Sequence, residues 1–273
     1  MDRIAWGGQA DLDGAAERSF RLHRNEGVVP GVLWWSGTAG RRPVVLLGHG
    51  GSGHKRSARL VRMGRRLAAA GLAAVAIDGP RHGDRVPGPL PSEVYQQQIA
   101  DEGIEHVTAR MTRDWLRTVA ALAGEGIADE TNVSVFGLSM GARYGLPVAA
   151  ALGPRLRCAV FAKFGLRESG LHPGLRCPEL TSAAARAVSA PVLWHVQADD
   201  EIFPRDGQHE LFALLGSGDK RLVERPGPHN GSSPEDEESW LNFIRAHANP
   251  RFLLLSATGC RRGSGPDRMI PCA

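Results

Sequence analysis

Cysteine is scarce and carries no pattern. The 273 residues hold four, Cys158, Cys177, Cys260 and Cys272, and none stand in the Cys-x-x-Cys spacing of a metal knuckle. The N-terminal stretch MDRIAWGGQADLDG is acidic and polar and has no apolar h-region, so no signal peptide is expected. Without one, free thiols are expected rather than a disulfide frame, and the location expected is cytoplasmic. No apolar run approaches the ~20 residues that span a bilayer, which excludes a membrane partner of that kind. Neither sign of charge dominates, with 33 Lys and Arg against 29 Asp and Glu. That balance, with no RRM-, KH- or zinc-finger-like pattern, gives no ground for nucleic-acid binding. Internal repeats and a second hydrophobic core are also lacking, so one domain over residues 1–250 is the economical reading. The stretch RFLLLSATGCRRGSGPDRMIPCA, 251–273, breaks the pattern and is expected to be a loosely attached tail.

What is present is an alternation of short apolar runs and longer amphipathic ones. Strands are expected at GVLWWS (31–36), PVVLLGHG (43–50), LAAVAIDG (72–79), NVSVFG (132–137), RCAVFA (157–162), PVLWHVQA (191–198) and KRLVE (220–224). Helices are expected over 55–70, 105–123, 141–152, 206–216 and 234–247 from the spacing of their apolar positions. Val107, Met111, Leu116, Val119 and Leu122 illustrate that spacing. Near-continuous apolar strands separated by helices imply an open, mostly parallel sheet covered on both faces, which is the α/β class. The polar stretches 80–104 and 164–190 are expected to form small lid segments.

In such a sheet, ligands meet the carboxyl ends of the strands. Four chemical groups fall just after expected strands: His49-Gly50-Gly51-Ser52-Gly53-His54, then Gly137-Leu138-Ser139-Met140-Gly141, then Asp199-Asp200, then Pro228-His229-Asn230. A side chain thrown off a strand end by a sharp turn needs small neighbours, and Gly137 and Gly141 flank Ser139. A serine hydroxyl is a poor nucleophile until a base takes its proton. His229 is the downstream histidine in a loop after the last short strand, whereas His195 lies in a strand pattern and His209 and His247 in helical ones. His172 lies in a loop but precedes the acid. Asp200 is favoured to orient His229, with Asp199 as the alternative. The Met140 N–H, at a helix N-terminus, suits an oxyanion. The second donor is expected from the glycine loop, at Gly51 with Ser52 as runner-up. A phosphate cradle is not favoured there, because no Gly-Lys-Ser/Thr follows in P-loop spacing. His49 is expected to be a structural hydrogen-bonding residue.

The segments LLGHGGSG, AIDGPRHGDR, VFGLSMGARYG, VQADDEIFP and GPHN together resemble the α/β-hydrolase family, over roughly residues 30–248. Within that family they are most similar to dienelactone-hydrolase-like and acyl-peptidase-like serine esterases with a small cap or none. The resemblance implies the α/β-hydrolase fold and a carboxylic ester hydrolase acting on a small molecule, with no metal and no organic cofactor. Its triad would be Ser139, Asp200 and His229, in that chain order. Ser52, His82, Tyr144 and Phe164 are expected to touch substrate, with Leu166 and Leu171 as further candidates. A thioesterase or a peptidase on the same triad remains an alternative, and so does a non-catalytic ligand-binding protein of the same fold. A homodimer is left open.

Two departures from the family pattern carry expectations. Dienelactone hydrolases proper use a cysteine where this chain has Ser139. Family elbows often have a second glycine where it has Ala142, and Pro147 falls inside the following helix, where a bend or a late start is expected. Lys55, Arg59, Arg62 and Arg66 fall on one helical face, read as solvated. Trp34 and Trp35 are adjacent in a strand and so point to opposite faces. Asp78, His82 and Asp84, with His54, lack tight ligand spacing and are read as a loop capping a strand end rather than a metal site.

Overall fold

The computed structural model describes residues 2–12 and 15–248; the expected tail lies outside the described residues. Among them one sheet of nine strands runs in the order β1-β2-β3-β5-β4-β6-β7-β8-β9. Its parallel part comprises β4 (Arg42–Gly48), β5 (Ala73–Ile77), β6 (Ala128–Leu138), β7 (Leu156–Ala162), β8 (Val192–Gln197) and β9 (Lys220–Arg225). Three antiparallel strands, β1 (Arg3–Leu12), β2 (Ala15–Arg24) and β3 (Gly27–Trp35), extend it at the β5 side. The hairpin β1–β2 was not expected. Its strands mix charged and apolar residues, and only Phe20 and Leu22 of its large side chains are deeply buried.

Alternation along the strands sorts the core into two clusters, one on each face. On β3, Val32 and Trp34 face one side and Leu33 and Trp35 the other, as the period of two requires. On β4, Val45 and Leu47 share the first side and Val44 and Leu46 the second. The first side is covered by α1 (Ala58–Ala69) and α7 (Pro234–Ala248), through Leu60, Met63, Leu67, Trp240, Leu241 and Ile244. The second is covered by α3 (Ile104–Gly124), α4 (Met140–Leu152), α5 (Pro178–Ala187) and α6 (Arg205–Leu214). Within the two expected lid stretches the chain forms α2 (Ser92–Glu102) and α5.

The arginines on the basic face of α1 meet solvent as expected, Arg62 and Arg66 exposed and Arg59 half-buried, and they are also ion-paired. Arg59 and Arg62 reach the Glu237 carboxylate of α7, and Arg66 reaches Glu238. Glu237 lies in the first turn of α7, where the positive end of the helix also favours a carboxylate. Lys55 stands before α1 and is buried. Its Nζ sits 2.6 Å from Asp78 and 2.9 Å from Asp84. Asp78, wholly buried at the end of β5, also accepts the backbone N–H groups of Lys55 and Asp84, each at 2.9 Å. The loop read as a strand cap is therefore one, with an internal ammonium between its carboxylates. Among the described residues, no three His, Cys, Asp or Glu side chains cluster so as to hold a metal ion. No helix there is long and apolar enough to cross a membrane.

The Pro147 expectation fails on one point. Helix α4 starts at Met140 and continues through Pro147 to Leu152 as one element, so its start is not delayed. The proline sits in the second turn and forfeits the single bond to the Arg143 carbonyl. Packing on both β6 and β7 holds the rest of the helix, burying Ala142, Leu146, Val148, Ala149 and Leu152.

Removing the Asp78 charge tests how much the loops at the strand ends depend on this pair. Asp78→Ala leaves the Lys55 ammonium buried without its main partner, and the expected loss is about 3–5 kcal/mol of unfolding free energy, read from urea titration. A loss below about 1 kcal/mol would mean that Lys55 escapes to solvent.

Candidate active site

Strand β6 ends at Leu138 and α4 begins at Met140, leaving a single residue, Ser139, to make the turn. Its backbone is left-handed, with φ 55° and ψ −118°, a strained conformation for a residue with a side chain. Three bonds hold it there. The Ser139 N–H donates to the Ala162 carbonyl at 2.9 Å, and the Ser139 carbonyl accepts from Ala142 and Arg143 at 2.9 and 3.0 Å. The flanking glycines are required by contact. A Cβ on Gly137 would collide with the Gly141 carbonyl, and one on Gly141 with the carbonyl of Gly48 on β4. Ala142 is fully buried and is tolerated where family elbows often carry glycine.

The side chains of Ser139, His229 and Asp200 form one hydrogen-bonded chain. Ser139 Oγ lies 3.0 Å from His229 Nε2, and His229 Nδ1 lies 2.8 and 3.0 Å from the two Asp200 oxygens. An acid-facing Nδ1 carries the proton, which leaves Nε2 as the acceptor for the serine O–H. Asp200 Oδ1 also accepts the backbone N–H groups of Ile202 and Phe203, at 2.9 and 2.8 Å. Asp199, the alternative acid, does not reach His229; its exposed carboxylate accepts the Gly227 N–H at 2.7 Å.

The loop that carries His229 is tied down at further points. Glu201 accepts the His229 N–H at 2.9 Å, and that bond holds the Glu201 carboxyl below its ordinary range. Gln197 donates to the Pro226 carbonyl at 3.0 Å. Lys163, directly after β7, donates from Nζ to the Gly231 carbonyl. Lys163 is buried with a left-handed φ of 56°, and burial pulls its ammonium down to about 8. Neither Lys163 nor Arg59, which also lines the cavity, was expected there. Lys163 stands directly past a strand end, as Ser139 does, so the strand-end rule could have found it. Arg59 reaches the site from a helix and leaves no such signal.

The glycine loop after β4 faces Ser139. His49 is buried, with Nδ1 2.8 Å from the Gly50 carbonyl and Nε2 accepting the Gly79 N–H at 2.8 Å. It is thus a strut between the loops after β4 and β5. Burial lowers it to about 4, against the smaller opposing effect of the Gly50 carbonyl. The Met140 N–H opens α4, and the first N–H groups of a helix lack partners within it. Gly51 shares the lining of two adjoining cavities with Ser139.

The larger cavity, of about 560 Å³, includes Ser52, Ser139, His229, Lys163 and Arg59 in its wall. A smaller recess of about 40 Å³ is walled by Met140, Tyr95, Tyr144, Leu171 and Phe203, among others. Burial pushes the Tyr144 phenol far above its ordinary range, so it is a neutral wall. Two residues expected to touch substrate line neither cavity. His82 directs its ring nitrogens at the Pro80 and Gly51 carbonyls, both at 2.7 Å, and so props the glycine loop from behind. Phe164 packs edge to face on Phe203 and under the Arg143 guanidinium, inside the core. Leu166 likewise lies elsewhere, in a surface depression beside α5 and α6.

Residues 29–217 match the model of the dienelactone hydrolase family. Esterase YjfP of Escherichia coli (strain K12) is 28% identical over 209 residues, covering 66% of this chain and 80% of that protein. Among solved structures, a cold-adapted esterase from an Arctic intertidal metagenomic library, in a PEG-bound complex, superposes with a TM-score of 0.76. It is 28% identical, over 90% of this chain and 100% of its own. An acetyl xylan esterase from Paenibacillus sp. R4, 18% identical over 90% of this chain and 88% of its own, shares the fold with a TM-score of 0.66.

The His49 strut has a pH signature. Folded, the imidazole takes its proton near pH 4, whereas in the unfolded chain it does so near 6.5. Between those values the unfolded state binds the extra proton, so stability is constant from this group above pH 6.5 and falls as pH drops toward 4. His49→Asn should therefore flatten the fall of Tm across pH 6.5 to 4 in scanning calorimetry. An identical slope in wild type and variant would contradict the assignment.

Proposed function

The chain belongs to the dienelactone hydrolase family, and on that premise we propose that it cleaves carboxylic esters of small molecules through a covalent acyl-Ser139 intermediate. The observation that carries this reading is the unbroken chain from Ser139 Oγ through His229 to Asp200. Ser139 Oγ attacks the ester carbonyl as His229 Nε2 takes its proton. Asp200, still ionised, orients the ring and stabilises the imidazolium that forms. The carbonyl oxygen becomes an oxyanion, received by the N–H groups of Met140 and Gly51. Donors aimed at developing charge in a partly closed site contribute more than they would in water.

Collapse of the tetrahedral intermediate expels the alcohol oxygen, which takes the proton from His229 Nε2. Water then enters, gives its proton to the same nitrogen, and attacks the acyl-serine to release the acid. The second collapse returns that proton from His229 to Ser139 Oγ, so water is the one co-reactant the two steps consume. The strained backbone at Ser139 supports the reading further. It directs the hydroxyl off the strand end, as a nucleophile on a sharp strand-to-helix turn requires.

Ser139→Ala should lower kcat on p-nitrophenyl acetate by roughly 10⁶-fold, and Asp200→Asn by about 10⁴-fold through the wrong imidazole tautomer. A fluorophosphonate should add one adduct at Ser139, located by peptide mass spectrometry. A purified, folded protein that shows neither a product burst nor the adduct, and whose Ser139→Ala variant binds ligand as wild type does, would be a binding protein instead.

A further inference from the structure

Helix α2, in the first lid segment, brings a phenol to the glycine loop. The Tyr95 hydroxyl stands so near Gly51 that a Cβ on that glycine would come within 2.6 Å of it. The phenol can sit there only because the glycine is bare. Tyr95 lines both cavities that border Ser139, as Gly51 does. The residue is buried, yet among the described residues its hydroxyl makes no hydrogen bond. The Gly51 carbonyl faces His82 Nε2 instead, at 2.7 Å. An O–H donor without a partner, on the wall of a cavity, is a place for an acceptor carried by a ligand.

The phenol is held before any ligand arrives. Its ring centre lies 4.5 Å from that of His82, edge to face, and both His82 nitrogens are fixed on the Pro80 and Gly51 carbonyls. The Tyr95 N–H donates to the Pro91 carbonyl at 3.1 Å, in the opening turn of α2. The next residue, buried Gln96, accepts the His172 N–H at 2.7 Å and so ties α2 to the second lid segment. A donor fixed in advance needs no reorganisation when charge develops in front of it, which is what makes it effective in a transition state.

The oxyanion proposed at Met140 and Gly51 has two N–H donors. An alkoxide oxygen carries three lone pairs, so one is left without a donor. Met140, Gly51, Tyr95 and Ser139 all line the same recess. Resting on the acyl-Ser139 reading above, we propose that the Tyr95 hydroxyl is a third donor to the oxyanion, a catalytic residue supplied by the lid. As Ser139 Oγ bonds to the carbonyl carbon, the C=O electron pair moves onto oxygen and the Tyr95 O–H donates to it. The phenol keeps its proton throughout. On collapse the pair returns to the carbonyl, the C–O bond to the alcohol breaks, and His229 protonates the departing oxygen. Attack by water on the acyl-serine uses the same donor. A neutral ester carbonyl accepts this bond more weakly than an oxyanion does, so its loss falls on kcat rather than on KM.

Tyr95→Phe keeps the ring against His82 and removes only the hydroxyl. On p-nitrophenyl acetate its kcat should fall by about 10²- to 10³-fold, the cost of one oxyanion donor, with KM within about twofold of wild type. Trifluoroacetophenone, whose carbonyl takes Ser139 Oγ to leave a tetrahedral oxyanion, should bind the variant about tenfold or more weakly than it binds wild type. The chain has two tyrosines, Tyr95 and Tyr144. Fluorotyrosine-labelled protein therefore gives two fluorine resonances, assigned by Tyr95→Phe or by Tyr144→Phe, and the Tyr95 resonance should shift when the ketone adds to wild type. A kcat within about threefold of wild type in folded Tyr95→Phe, a loss confined to KM, or a Tyr95 resonance unmoved by the adduct would overturn the assignment while leaving Ser139 catalysis intact. A wild-type protein that turns over no ester and takes no fluorophosphonate would instead remove the reading on which it rests.

Discussion

The contact on which the site depends is between two backbones. Gly141, in the first turn of α4, lies against Gly48 at the end of β4, where a Cβ on Gly48 would stand 3.0 Å from the Gly141 Cα. Gly137, at the end of β6, meets the same residue from the other side. No side chain larger than hydrogen fits at these three positions without moving the helix. With them bare, the helix N-terminus seats between two parallel strands. Ser139, the positive end of the helix and the glycine loop then border the same space. The left-handed backbone of Ser139 is the local consequence, a strain of order 1–3 kcal/mol. Packing of α4 on β6 and β7, and the bond from Ser139 to Ala162, offset it.

Around that contact, each loop at the strand ends is held by its own polar anchor. His49 joins the loops after β4 and β5 by accepting one N–H and facing one carbonyl. Asp78 gathers Lys55 and the turn at Asp84. Asp199, Glu201 and Lys163 hold the loop that bears His229. Apolar burial builds the sheet and its two faces, but it has no means of aiming a loop. The aiming is done by buried polar groups, each of which costs stability when its partner is lost. That division explains why so many titratable residues lie just past the carboxyl ends of the strands without belonging to the reacting set.

The parallel strands and their helices were legible because strands covered on both faces are nearly continuous in Val, Leu, Ile and Ala, and boundaries fell within a few residues of their places. The hairpin β1–β2 was not legible. It lies at the margin of the sheet, where half its side chains meet water and Arg, Glu and Gly interrupt the apolar alternation. Helix α2 was hidden behind a proline-rich approach and few buried positions. At the candidate site, Ser139, Asp200 and His229 could be placed at strand ends from order alone, and the structure brings them within hydrogen-bond distance. Residues contributed by helices or lids could not, because nearness along the chain does not say which way a side chain turns. His82 and Phe164 follow strands as Ser139 does, yet one turns to carbonyls and the other to the core. Tyr95 and Leu171, which shape the recess, come from segments whose conformation depends on contacts far off in sequence.

Among the described residues, strand β9 pairs with β8 alone, at the margin of the sheet, and none of its six residues is deeply buried. His229 comes shortly after it in the chain, whereas Ser139 comes after β6, in the middle of the sheet. Marginal elements open at lower free energy than the centre. The Ser139–His229–Asp200 chain is therefore split between the centre of the sheet and its margin. The bonds from Asp199, Glu201 and Lys163 therefore set how far an opening of that margin carries His229 from Ser139.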